Sequence, residues 1–123
     1  MNKFIAILLL ALIAIAAVSA EDFIVGKWLD EKWDGLWNLN VTDSGFTGIL
    51  TKNGERVFEF TKDNCPDWKV TPGLQGVTLT FSCKETERSY SFRKPLTLNA
   101  DLEMTVTPDW NQSAYTTTIK FQK

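Results

Sequence analysis

Apolar and polar residues alternate with a period of two along most of the chain from Leu36 onward, and this alternation constrains the fold more than any other feature. The clearest run is Val77 to Cys83, in which every second residue is apolar and the residues between are Thr or Ser. Successive side chains of a β-strand point to opposite faces, whereas an α-helix repeats every 3.6 residues. The alternation therefore predicts an all-β fold whose strands each have one buried face.

Turn-forming residues divide this pattern into eight or nine short strands. Asn53-Gly54, between two β-rich runs, predicts a tight hairpin because a type I′ turn needs positive φ at both central residues. Trp28 lies in a strand-like context near the start of the series. The later predicted strands cover 37–42, 46–51, 56–61, 68–71, 77–83, a run from Tyr90 to near Pro95, 102–107 and 115–121.

Nearly all the connections between these strands are short, which favours a small antiparallel up-and-down β-barrel. A two-sheet β-sandwich is the alternative. A sandwich of the Greek-key type needs at least one long crossing connection, for which residues 61–67 and 108–114 are the candidates. In the predicted strand 37–42, Asn40 alternates with inward-facing apolar residues, so its side chain is expected to face solvent.

Residues 1–20 resemble a signal peptide. Lys3 supplies the positive charge, Phe4 to Val18 is an unbroken run of fifteen apolar residues, and Val18-Ser19-Ala20 offers small side chains at the cleavage point. The apolar run is too short to span a bilayer comfortably. We therefore expect a secreted, extracellular protein whose working part is a single domain, residues 21–123.

The composition narrows the classes of function. The absence of histidine excludes Ser-His-Asp and Cys-His catalysis and the common zinc sites as they are usually built. Residues 21–123 carry twelve basic and fifteen acidic residues, a net charge of about −3 without a basic stripe, which argues against nucleic acid and anionic membranes as partners. The acidic residues are scattered over turns and polar strand faces, so we expect solvated charges, no catalytic residue, no metal and no cofactor. A hydrolase with two convergent carboxylates is a distant third alternative.

Two pairs of residues predict covalent modification in an exported chain. Cys65 and Cys83 have one possible intramolecular pairing, and a disulfide is expected in an oxidising compartment. It would close a loop of about eighteen residues and stabilise the fold by ~3 kcal/mol in the chain-entropy model. Asn40 and Asn111 each begin a glycosylation sequon, which is used only if the source is a eukaryote.

Three sets of residues resemble the calycin β-barrels, and in particular the avidin family. Gly26-Lys27-Trp28 is similar to the Gly-x-Trp of the first calycin strand, and Phe46-Thr47-Gly48 is similar to an avidin strand motif. Asp109-Trp110, followed by Thr116, Thr118 and Ile119, is similar to the avidin ending. Asp30 stands where that family has Asn or Asp. The resemblance implies a barrel that holds a small ligand in its mouth.

Two positions depart from the avidin pattern. Leu50 and Lys52 stand where the family has an aromatic hydroxyl and a Thr that hold biotin. Neither residue provides the same hydrogen bonds, so the resemblance implies an avidin-like barrel without biotin binding.

A second resemblance is to small bacterial metalloprotease inhibitors, which are eight-stranded barrels with one disulfide. Trp68-Lys69-Val70-Thr71-Pro72 and Leu79-Thr80 are similar to their Trp-x-x-Thr-Pro and Leu-Thr sequences. Such inhibitors insert a free N-terminal segment into the protease cleft, and Glu21 to Val25 would be the equivalent segment here.

We interpret the chain as a non-enzymatic binding protein with a small apolar or amphipathic ligand in the barrel mouth. The alternative is a protein-interaction module with a filled barrel, such as a protease inhibitor or a component of the extracellular matrix or cell surface. Trp28 and Trp37 are predicted to be core, whereas the other three tryptophans lie at loops or strand ends. The residues predicted to line the mouth are Trp33, Leu50, Phe60, Trp68 and Trp110.

Overall fold

A computed structural model describes residues 22–96, 100–111 and 113–123, and within these ranges it contains nine β-strands and no helix. The predicted all-β fold is therefore confirmed, whereas the predicted signal peptide, residues 1–20, lies outside the described residues. The strands are β1 Asp22–Asp30, β2 Gly35–Thr42, β3 Gly45–Lys52, β4 Glu55–Thr61, β5 Lys69–Gly73, β6 Gly76–Cys83, β7 Arg88–Pro95, β8 Leu102–Pro108 and β9 Tyr115–Gln122.

The nine strands form one antiparallel sheet in the order β4-β3-β2-β1-β9-β8-β7-β6-β5. Strands that follow one another in sequence are neighbours, except for β4 and β5, and β1 pairs with β9 through Lys27, Trp28 and Leu29. The sheet curls into a half-barrel. This up-and-down order is the predicted one and needs no crossing connection, but hydrogen bonds do not close the barrel because β4 and β5 are the two edges.

Both edge strands carry features that suit a strand without a neighbour. The Asn64 side chain accepts a hydrogen bond from the Thr61 N–H and donates one to the Glu59 carbonyl, each 2.8 Å long. A side-chain amide thus takes the place of an adjacent strand at the end of β4. β5 has five residues and contains Pro72, which has no N–H to donate. Each edge strand thus has a feature that limits pairing with a further strand.

Aromatic side chains from both halves of the sheet, β1–β4 and β5–β9, fill its interior. Trp37 of β2 packs on Phe92 of β7 with ring centroids 5.0 Å apart, and Phe46 of β3 packs on Phe81 of β6 at 4.7 Å. Aromatic pairs of this kind contribute ~0.5–1.5 kcal/mol each beyond the burial of their area. The buried rings of this core are those of Trp28, Trp37, Phe46, Phe60, Phe81, Tyr90 and Phe92. The predicted core positions of Trp28 and Trp37 are confirmed.

The turn predictions hold at the β3–β4 hairpin and need correction at β5. Asn53 and Gly54 have φ values of 55° and 78°, as the predicted type I′ turn requires. Pro72-Gly73, predicted as a turn, instead continues β5, and the chain reverses at Leu74 and Gln75. Pro72 is tolerated in the strand because β5 is an edge.

The structure offers a stringent test of the β6 register at Gly76. Its φ is 135°, and a Cβ at this position would lie 2.1 Å from the Lys94 carbonyl oxygen. We expect Gly76→Ala to lower the free energy of unfolding by ~1–3 kcal/mol, the usual range for a strained backbone. Denaturant titration measures the loss. Gly45→Ala is the matched control, since Gly45 also begins a strand and no atom lies within 4 Å of its added Cβ. Equal stabilities of the two variants would contradict the register.

In the part of the chain that the structure describes, no helix has the length and apolar character needed to cross a membrane.

Candidate binding surface

The five residues predicted to line a barrel mouth occupy three different environments. Leu50 and Phe60 point into the interior and are buried in the aromatic core. Trp68 is half-buried and stacks on Phe46 with centroids 5.8 Å apart. Trp33 and Trp110 lie outside the core and are 43% and 61% exposed.

The two exposed indoles are each covered by a cation. The Lys52 ammonium lies 4.5 Å from the centroid of Trp33 and also donates a hydrogen bond to the Trp33 carbonyl. The Arg88 guanidinium lies 4.9 Å from the centroid of Trp110. Cation–π pairs of this kind hold a ring in place and occupy one of its faces. The five residues thus do not surround one cavity, and their role in ligand binding stays a prediction.

One cavity in the described part of the chain, about 800 Å³ in volume, is a trough across the outer face of β6–β9. The outer face is the side of the sheet that points away from the aromatic core. The trough is lined by Glu31, Lys32, Thr78, Ser91, Arg93, Glu103, Thr105, Thr116, Thr117 and Thr118. A neighbouring cavity of about 290 Å³ shares Ser91 and Thr105 and extends towards Ser82 and Thr107. Hydroxyl groups dominate both linings.

The strand register arranges these hydroxyls in rows. Thr80 of β6 pairs with Ser91 of β7, which pairs with Thr105 of β8, which pairs with Thr116 of β9. Residues paired in this way lie side by side on one face, so four adjacent strands each present one hydroxyl. The Thr105 and Thr116 hydroxyls are 3.3 Å apart. Each of the four strands contains a Thr-x-Thr or Ser-x-Ser sequence. The sequence alone predicted that such residues lie on a polar face, but not that those of different strands form rows.

A second row crosses the trough and is charged at its centre. It runs from Thr78 through Arg93 and Glu103 to Thr118. The Arg93 guanidinium forms an ion pair with the Glu103 carboxylate. Glu31 and Lys32 add one charge of each sign, so the four charges of the lining cancel.

A buried carboxylate fixes one end of the trough. Asp30 is 1% exposed, which corrects the expectation that all acidic residues lie on solvated faces. Its carboxylate accepts hydrogen bonds from the N–H groups of Lys32 and Trp33, at 3.1 and 3.3 Å, and from the Tyr115 hydroxyl, at 2.9 and 3.0 Å. A buried charge is tolerated only when it is bonded in this way. The contact holds the β1–β2 turn, with Glu31 and Lys32, beside the start of β9.

We expect Tyr115→Phe to lower the free energy of unfolding by ~1.5–3 kcal/mol, because it removes the hydroxyl that donates to the buried Asp30 carboxylate. Tyr90→Phe is the matched control. It removes a bond between two neutral hydroxyls, from Tyr90 to Thr86 at 2.8 Å, and is expected to cost ~0.5–1.5 kcal/mol. Thermal or denaturant unfolding measures both. A Tyr115→Phe variant as stable as the parent would show that the hydrogen bonds between Tyr115 and Asp30 are not formed.

Cys65 and Cys83 are both buried and are free thiols in the structure, so the predicted disulfide between them is not formed there. The Cys65 thiol donates a hydrogen bond to the Asn64 Oδ1 at 3.2 Å. Burial, together with the neighbouring Cys83, raises the pKa of Cys65 from 9.0 to about 12. A buried neutral thiol is a poor nucleophile and metal ligand. Among the described residues, no cluster of Cys, Asp and Glu could hold a metal ion.

The raised pKa of Cys65 predicts a loss of stability in alkali for the reduced protein. Because the folded state holds this proton more tightly than the unfolded chain, the stabilisation is complete below pH 9 and is lost as the pH rises towards about 12. Burial also raises the pKa values of Tyr90 and Tyr115 above 10, which adds to the loss. We expect the alkaline fall in the free energy of unfolding to be smaller in Cys65→Ser. An equal fall in parent and variant would contradict a buried, protonated Cys65.

Comparison of the chain with protein-family models, with curated proteins and with solved structures finds no match in any of the three. The function is therefore inferred from the geometry of the molecule alone.

Proposed function

We propose that the protein is a secreted, non-catalytic binding protein that recognises its ligand on the outer face of β6–β9. The observation that carries the proposal is the location of free space. The trough of about 800 Å³ lies outside the barrel and is within the size range of small-molecule sites.

The packing of the interior supports a surface site over a site in the barrel mouth. Phe60 and Leu50, predicted to contact a ligand, are covered by other core side chains. Even inward-facing glycines leave little room. An added Cβ would lie 2.9 Å from the Phe121 ring at Gly26, and 3.1 Å from the Leu39 side chain at Gly48. A ligand in this interior would have to displace aromatic side chains.

A protein-interaction module is the second candidate, because a filled interior leaves the outer surface as the place where a partner can bind. The trough distinguishes the two candidates by its chemistry. The cores of protein interfaces are enriched in aromatic residues and depleted in Ser. The trough has the opposite composition.

The proposal includes export and the modifications that export allows. The sequence of residues 1–20 supports the signal peptide, and export supports a disulfide between Cys65 and Cys83. The two thiols are buried near one another but not at disulfide distance, so the proposed bond requires a shift of the loop after β4 or of the end of β6. Asn40 and Asn111 are both exposed, as glycan acceptors must be. Asn40 lies on β2, in the other half of the sheet from the trough, so a glycan there leaves the trough open.

The surface site is tested by the amide and indole NMR signals of the labelled protein in the presence of four probes: maltotriose, a sulfated disaccharide, an acidic peptide and benzene. We expect at least one polar probe to shift amides of β6–β9 around Thr105, and benzene to leave the indole signals of Trp28 and Trp37 unchanged. The proposal fails if benzene shifts those indoles, or if neither these polar probes nor other neutral trisaccharides shift the trough.

Phe60→Ala provides the positive control for the interior. It leaves an apolar cavity that benzene can enter, at a cost of ~3–5 kcal/mol in stability. If this variant does not fold, Phe60→Leu opens a smaller cavity at the same place. Benzene shifts in the variant and not in the parent show that the parent interior is filled.

The disulfide is tested on the protein as secreted, by counting free thiols after denaturation. Two electrons and two protons pass from the thiols to the disulfide of a secretory oxidoreductase as the Cys65–Cys83 bond forms. We expect no free thiol, and a loss of ~3 kcal/mol in stability on reduction. Two free thiols in the secreted product would contradict this part of the proposal.

A further inference from the structure

We propose that the trough takes a neutral, hydroxyl-rich ligand, a short oligosaccharide, which lies across β7–β9 along Ser91, Thr105 and Thr116. This inference rests on the proposed function, since it assigns a chemical class to the ligand of the same site. It is carried by the hydroxyl rows, by the balance of charge and by the shape of the trough.

The hydroxyl rows match the bonding needs of a sugar. Each Thr or Ser hydroxyl has one donor and two acceptor positions and rotates to suit its partner. A sugar hydroxyl has the same capacity, so the row Ser91-Thr105-Thr116 can donate to or accept from successive hydroxyls of a ligand. The threonine methyl groups lie beside these hydroxyls and offer apolar contact to the C–H groups of a sugar ring.

The charges of the trough favour a neutral ligand. Arg93 and Glu103 are already paired with each other, and Glu31 and Lys32 balance. A phosphate, sulfate or carboxylate group would meet only Lys32, whose charge is offset by its neighbour Glu31, and a cationic ligand would meet only Glu31, offset by Lys32. The Arg93–Glu103 pair instead places a strong donor beside a strong acceptor, which suits two adjacent hydroxyl groups of one sugar.

The shape of the trough favours a flexible chain over a flat surface. Three strands at a spacing of about 4.8 Å give a row ~10 Å long from Ser91 to Thr116, which suits a short oligosaccharide. Adjacent strands of a sheet are also twisted by ~20–25° relative to one another. The row therefore turns along its length, so it follows a twisted chain better than a flat, rigid surface.

The matched pair of variants is Thr105→Val/Thr116→Val and Thr47→Val/Thr51→Val. Each changes two threonines on the outer face, the first pair in the trough and the second on β3. Valine keeps the shape and the preference for strands but removes the hydroxyl. Because the first variant removes two hydroxyls that can bond the ligand, we expect it to lose about tenfold or more in affinity, and we expect the second to keep the parent affinity.

The experiment titrates parent and variants with maltotriose, cellotriose, chitotriose and mannotriose, and follows the amides of β6–β9 by NMR at low and high salt. We expect at least one trisaccharide to shift the trough amides of the parent, with an affinity that does not change with salt because the ligand is neutral. Equal affinities in the two double variants would place the sugar elsewhere and overturn the inference.

Other outcomes separate this inference from the proposed function. If the sulfated disaccharide or the acidic peptide shifts the trough and none of the four trisaccharides does, the inference is wrong and the proposed surface site stands. If neither those probes nor the trisaccharides shift the trough, both are wrong.

Discussion

Packing of aromatic rings across an incompletely hydrogen-bonded sheet is the interaction on which the rest of the structure depends. Among the described residues, backbone pairing joins the two halves of the sheet only between β1 and β9, through three residues of each strand. At the opposite side, β4 and β5 do not pair. Rings such as Trp37 and Phe92 therefore hold the halves together there, and they do so by occupying the space that a ligand would need.

The same register that buries the rings places the hydroxyls outside. In β6, Leu79 and Phe81 are buried, whereas Thr78 and Thr80, which alternate with them, face outward. A shift of one residue in the pairing would exchange the two faces of a strand. The filled interior and the hydroxyl rows are therefore two consequences of one alternating pattern, and the Asp30–Tyr115 contact adds the turn that bounds the trough.

Much of the fold could be predicted from the sequence because its signals are local. Period-two alternation identifies a strand from a few neighbouring residues, and the two residues Asn53-Gly54 identify the β3–β4 hairpin. The open side between β4 and β5, and the contact of Asp30 with Tyr115, join residues that are distant in sequence and leave no local signal. The trough is of the same kind, since Ser91, Thr105 and Thr116 become neighbours only once the register of three strands is known. The ligand-binding residues were predicted for a barrel with an open mouth. Because the sequence does not show how the side chains of different strands pack together, it did not reveal that Leu50 and Phe60 are buried in the core.

The most direct measurement of the central claim, a filled interior, is the uptake of xenon under pressure by crystals of the protein. Xenon enters apolar cavities of protein interiors and reports them without a choice of ligand chemistry. We expect no xenon among the side chains around Trp37, Phe60 and Phe92. An ordered xenon atom at that position would contradict it, and would return the binding site to the inside of the barrel.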